Sequence, residues 1–222
     1  EQQNDPYFTQ FSDPGSWTGM VGWLDTLVHE QTHLYNADLA WTLSQPHALY
    51  FRQDKVIALP AEQGFARSAI KSKLASFAQS GIYANTYLTG SQGQRGFNPM
   101  LDEASCYSNE VPGLAAFGQY YSGGVSLRDG SAAFLYFIQV YLREARTNHP
   151  TFYDWAKAQA GYLEAVELLW LRTHFFYQLA DQYPNLGIHD AAYRAEAYRQ
   201  ENLLELELFT GKKFGPSNCL VE

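Results

Sequence analysis

His29-Glu30-Gln31-Thr32-His33 sets two imidazoles four residues apart, with a carboxylate directly after the first. On a helix, residues four apart share a face, so both rings can reach one metal ion. Glu30 then lies beside the ion rather than on it, placed to take a proton from a water that the ion polarises. The chemistry offered by this spacing is metal-assisted hydrolysis. With 6 His in 222 residues, composition alone yields the pattern roughly 0.01 times per chain.

The flanks sharpen the motif. Residues 26–35 read Thr-Leu-Val-His-Glu-Gln-Thr-His-Leu-Tyr, with uncharged residues around it and apolar ones after the second His. This resembles the wider signature of the zincin metallopeptidases, and the Glu30-x-Thr32-His33 core is similar to that of the thermolysin-like ones. The resemblance covers residues 17–41 and, more weakly, 98–110. It implies a Zn2+ held by His29 and His33, Glu30 as general base, and a peptide or protein substrate. A catalytic zinc also needs a third protein ligand and an open position for water.

Leu34-Tyr-Asn-Ala-Asp-Leu-Ala-Trp41 lacks the Gly and third His of the metzincins, and no aspzincin Asp motif is evident. A gluzincin-type arrangement is left, with a Glu from a second helix. Glu103 is the favoured candidate. It lies one turn into the segment opened by Asn98-Pro99, and Met100 and Tyr107 share its face. Asp102-Glu103-Ala104 resembles the Asn-Glu-Ala segment that carries the third ligand in thermolysin-like enzymes. Those enzymes have a supporting Asp four residues later, where this chain has Tyr107. Glu62, in Leu59-Pro-Ala-Glu-Gln-Gly-Phe-Ala66, is the rival; Gln63 interrupts its match to the Glu-Gly-x-Ala pattern of many gluzincins. Asp38 and Glu110 are weaker candidates. Either Glu62 or Glu103 can instead be a helix-start carboxylate stabilised by the dipole.

The elements that must position these residues read as mainly α. Ser16 or Asp13 caps a helix over 17–41, with Val21, Leu24, Leu27/Val28, Leu34/Tyr35 and Leu39 as its apolar positions. Residues 48–59 read as a hairpin about Gln53-Asp54-Lys55. Pro60 opens a helix over about 61–79 with Ala66, Ile70, Leu74 and Phe77 on one face. Tyr83–Leu88 reads as loop or one edge strand, so the small sheet falls near 48–88. A third helix runs from Asn98 to about Asn109, where Val111-Pro112-Gly113 interrupts. Helices follow over 131–146, 150–182 (kinked at Gly161) and 189–209. The expectation is one domain, 1–222: a zinc-motif half to about residue 125 and a helical half from about 126.

Composition narrows the function. Hydrophobic residues make up 46% and charged ones 17%, which excludes disorder. No apolar run is long enough for a membrane span. A formal charge of −8 without a basic stripe excludes ordinary nucleic-acid binding. Low Lys, high Tyr and the pair Cys106/Cys219 suggest an exported protein in which the two cysteines pair. The 16 Tyr, 14 Phe and 5 Trp furnish a core or an aromatic groove. Tyr107, Tyr120, Tyr121 and His174 are candidate donors to the oxyanion of a tetrahedral intermediate. The competing reading is a non-catalytic peptide- or glycan-binding protein on a zincin-like helical scaffold, its metal held in a closed four-ligand site.

Overall fold

The structure, a computed structural model, describes residues 16–121, 126–183 and 186–215. It is mainly helical with one two-stranded sheet, and the motif helix precedes a helical second half. Helix α1, Trp17–Thr42, carries the motif; Ser16 caps it, its hydroxyl accepting the Gly19 N–H at 3.0 Å. That bond satisfies one of the donors that a helix start leaves free.

The inward face of α1 is not the apolar one. Val21, Asp25, His29, Thr32, Asn36 and Ala40 are buried at spacings of three and four. Trp17, Met20, Leu24, Leu34, Tyr35 and Trp41 lie on the exposed side. The expected apolar face is therefore corrected: Val21 points inward, but Leu24, Leu34 and Tyr35 point out.

Strand β1, His47–Arg52, pairs antiparallel with β2, Lys55–Leu59, with His47 opposite Leu59 and Tyr50 opposite Val56. Two asparagines pin β1 to the helices. The Asn36 side-chain oxygen accepts the Tyr50 N–H at 2.7 Å, and the Asn109 amide donates to the Tyr50 carbonyl at 3.2 Å. The main-chain groups of one strand edge thereby find partners.

The helix expected over 61–79 does not form. Residues 60–66 are irregular, a 3-10 turn spans Arg67–Lys73, and α2 is only Ser76–Ser80. Long-range bonds override the local periodicity. The Tyr141 hydroxyl holds both the N–H (3.1 Å) and the carbonyl (2.7 Å) of Phe65, and buried Arg67 donates to Gln92. The edge strand at 83–88 is likewise replaced by α3, Ile82–Tyr87; the short α4, Gly90–Gly93, follows.

Helix α5, Phe97–Phe117, starts one residue before Asn98 and runs through Pro112. The predicted interruption at 111–113 is absent for a physical reason. Pro112 cannot donate to the Ser108 carbonyl one turn back, and the Arg172 guanidinium donates to that carbonyl instead, at 3.2 Å. Gly113 leaves room for the Asp25 carboxylate, which a Cβ there would strike.

The second half comprises α6 (Ser126–Asn148), α7 (Pro150–Lys157), α8 (Ala160–Ala180), α9 (Asp190–Ala197) and α10 (Gln200–Thr210). The expected 150–182 helix breaks at Ala158–Gln159, close to the predicted kink, and the 189–209 helix breaks at Tyr198–Arg199. Helices α1, α6 and α8 pack around α5, whose residues are buried on nearly every side. The core is aromatic: Phe97 stacks on Tyr141 at 4.8 Å, and Tyr107 on Phe134 at 5.3 Å. Among the described residues no helix is long and apolar enough to cross a membrane.

Candidate metal centre

Helices α1 and α5 run antiparallel: Asn36 meets Asp102 and Ser105, His33 meets Asp102 and Glu103, and His29 meets Glu103 and Glu110. The polar inner face of α1 is thus matched by a polar stripe on α5. His29 and His33 project from successive turns, with ring centroids 5.0 Å apart.

Each ring has one nitrogen taken. His33 Nδ1 lies 2.6 Å from Asp102 Oδ2, and His29 Nδ1 is bonded to the Glu110 carboxylate. A donor bond at Nδ1 leaves Nε2 as the free coordinating atom. Both Nε2 atoms then converge on one oxygen, Glu103 Oε2, at 3.5 Å from His29 and 3.4 Å from His33. Glu103 Oε2 is buried and has no hydrogen-bond partner among the described residues. A tetrahedral ion with bonds of about 2.1 Å separates its ligand atoms by about 3.4 Å. Both contacts to Glu103 Oε2 are therefore too long for good hydrogen bonds and match the edge length of a tetrahedral ligand set.

A thiol joins them. One donor atom from each of His29, His33 and Cys106 lies within 4.8 Å of the others, so these residues form a cluster able to hold a metal ion. Cys106 is fully buried, three residues after Glu103 on α5. Its expected partner, Cys219, lies outside the described residues.

Electrostatics follow the geometry. Burial works against a charged His29, yet the Glu103 and Glu110 carboxylates beside its two ring nitrogens outweigh it and raise its pKa to about 9. His33 is also raised, with Asp102 the largest influence against burial. Glu103, despite burial, is lowered to about 2 by the two imidazoles. Burial pushes Glu110 up to about 7 against the pull of His29. The carboxylates thus favour positive charge at the imidazoles, and the same field favours a metal cation in place of their protons.

The other sequence candidates separate clearly. Glu62 sits at the start of α5, where its carboxylate accepts the N–H groups of Phe97 and Asn98, the latter at 3.1 Å. It is the helix-start carboxylate, and the ligand reading for Glu62 is set aside. Asn98, buried inside the first turn, donates to the Pro60 carbonyl at 2.9 Å. Asp38 is exposed, and Glu110 stands behind His29 rather than at Nε2. Glu30 is half-buried beside His29, near enough for its charge to raise the Glu110 carboxyl.

Of the candidate oxyanion donors, Tyr107 packs edge-on against His29 at 4.6 Å, its hydroxyl 3.2 Å from that of Tyr87. Tyr121 donates to the buried Asp25, and Tyr120 meets Trp17 edge-on. His174 is bonded to Tyr198 and stacked on Trp170, outside the metal cluster. Asp102, Asn36 and Asp25 escaped the sequence reading. Their signal was present in part: Asp25, His29 and His33 repeat every four residues, and Glu103 and Glu110 lie two turns apart.

A cavity of about 390 Å³ opens beside His33 and Asp102, lined also by Asn36, Trp41, Gln45 and His47. No protein family, no curated protein and no solved structure matches the chain.

Proposed function

We propose that the chain is a zinc-dependent metallopeptidase. The approach of the orphaned Glu103 Oε2 to both His29 Nε2 and His33 Nε2, at 3.5 and 3.4 Å, carries this reading. His29, His33 and Glu103 are assigned as ligands. Asp102 and Glu110 hold the two rings in the tautomer that frees Nε2.

Zinc, when bound there, supplies a Lewis acid that polarises the scissile carbonyl and acidifies water. Glu30, one residue from a ligand and half-exposed, takes the proton of the attacking water. It then delivers that proton to the leaving amine. Tyr107, against His29, is the best-placed of the four candidate oxyanion donors. The surface beside His33 and Trp41 offers an apolar wall for a substrate side chain. An exported location accords with the composition.

The test is metal content together with hydrolysis of a peptide library. Glu30→Gln is expected to retain about one zinc and to lose roughly 10²–10⁴-fold in rate. Cleavage by that variant at the parental rate would overturn the mechanism. Cys106 favours a second reading, a closed non-catalytic metal site. It has a direct spectroscopic test.

A further inference from the structure

We propose that Cys106 is a fourth protein donor that closes the metal site, so that the resting protein is self-capped. The inference rests on the metal-site reading above and concerns how that site is regulated.

Two observations carry it independently. The first is placement: Cys106 shares a face of α5 with Glu103, and its donor atom lies within 4.8 Å of those of both imidazoles. That mutual cluster comprises His29, His33 and Cys106; Glu103 approaches the same two imidazoles through Oε2, at 3.5 and 3.4 Å. The second is the orphaned oxygen. Glu103 is 7% exposed, and its Oε2 faces both Nε2 atoms without a hydrogen bond. A buried carboxylate oxygen aimed at two imidazole nitrogens without a hydrogen bond has a coordination position open to an ion. The thiol therefore stands next to a cation position, not alone in an apolar core.

Four protein ligands make a tetrahedral zinc site closed, whereas three leave room for water. Thiolate is also the softest donor in the set and favours zinc or cobalt over calcium or magnesium. Coordination breaks the Cys106 S–H bond, sends the proton to solvent and uses a sulfur lone pair for the metal–sulfur bond; nothing is oxidised or reduced. Opening reverses this: the thiolate leaves, takes up a proton, and water enters its place. His29, His33 and Glu103 hold the ion throughout, and Cys106 decides whether the fourth position is available.

The experiment loads the full chain with Co2+ alone and records its absorption. The expected parent spectrum has the ligand-field bands of a tetrahedral ion and an intense near-ultraviolet thiolate-to-cobalt charge-transfer band. Cys106→Ser and Cys106→Ala should keep the ligand-field bands, lose the charge-transfer band and hydrolyse peptides at least tenfold faster than the parent. Cys219→Ser should leave the spectrum unchanged. Ligand-field bands without charge transfer in the parent would overturn the proposal while leaving the metal site standing. A parent mass about 2 Da below the sum of its residues, reporting a Cys106–Cys219 disulfide, would overturn it as well. Failure to bind cobalt at all would remove the metal-site reading and this proposal with it.

Discussion

Glu110→Gln isolates the carboxylate that stands behind His29. The two side chains are 1% and 9% exposed, so water cannot replace the lost charge. Glutamine keeps the shape and can still accept the Nδ1 proton through its amide oxygen. What changes is the bond's character, from charge-assisted to neutral. Hydrogen bonds to charged groups contribute about 1.5–3 kcal/mol and neutral ones about 0.5–1.5, so the loss is about 1–2 kcal/mol. At 1.4 kcal/mol per decade, zinc affinity should fall roughly 5- to 30-fold, near the range typical of such supporting partners. The assay is competition for zinc with a chromophoric chelator at fixed pH and ionic strength. Asp38→Asn, an exposed carboxylate on the same helix as the histidines, is the control and should bind as the parent does. Far-UV circular dichroism establishes that the variant is folded. A folded Glu110→Gln protein with affinity within twofold of the parent would refute the reasoning, leaving Glu110 as a space-filling group.

Glu62→Ala should lower stability by about 1 kcal/mol, as removal of a helix-start acceptor does, without changing zinc content, whereas Glu103→Ala should lose the metal; elemental analysis beside thermal melts reads both. Burial pushes the Asp25 carboxyl up to about 6, the Tyr121 bond opposing it, from an ordinary value of 3.8. The folded protein therefore binds that proton more tightly than the unfolded chain, and the resulting stability, present below the ordinary value, is lost as pH rises to about 6. Urea melts between about pH 4 and 6 should show a loss that is larger in the parent than in Asp25→Asn by up to about 3 kcal/mol; identical pH profiles would contradict it. Zinc uptake at pH 8 should release two protons per ion from the imidazoles, and a third where the Cys106 thiol or a zinc-bound water also ionises. Calorimetry in buffers of different ionisation enthalpy counts them, and a count near zero would contradict the exchange.

The motif helix was legible because its cap and its periodicity agree: Ser16 stands just before it, and apolar residues recur along it. Which side faces inward was not legible. Helix α1 carries an apolar stripe and a polar one, and hydrophobicity alone assigns the first to the core. The polar stripe wins because α5 offers it matched carboxylates, a fact that exists only once the two helices dock. Pro112 shows the same limit. A proline rule reads four residues, but the group that rescues the Ser108 carbonyl is Arg172, 64 positions away. The helix expected over 61–79 failed because Tyr141 and Gln92, also distant, hold its backbone and Arg67 in another form. Glu103 could be picked out by its neighbours Asp102 and Ala104. The roles of Asp102 and Glu110 required the antiparallel register.

That register also explains why so polar an interface survives. Asp102, Glu103 and Glu110 bring three carboxylates into a space of low exposure, and a buried charge without a partner is strongly destabilising. In the metal-free protein the imidazoles supply the counter-charge: His29 and His33 are both raised because holding protons there offsets the carboxylates. Two imidazolium charges equal the charge of one divalent ion on neutral rings. Exchange of two protons for Zn2+ therefore leaves the formal charge of the cluster unchanged. The same arrangement that stabilises protons at His29 and His33 would stabilise the ion, and each reports on the other. A third proton, from the Cys106 thiol or from a zinc-bound water, would add one negative charge beyond this balance, held by the metal–ligand bond it forms. Because a zinc-bound water also ionises near pH 7, the proton count tests the exchange at the imidazoles, and the thiolate-to-cobalt band alone separates an open three-ligand centre from a capped one.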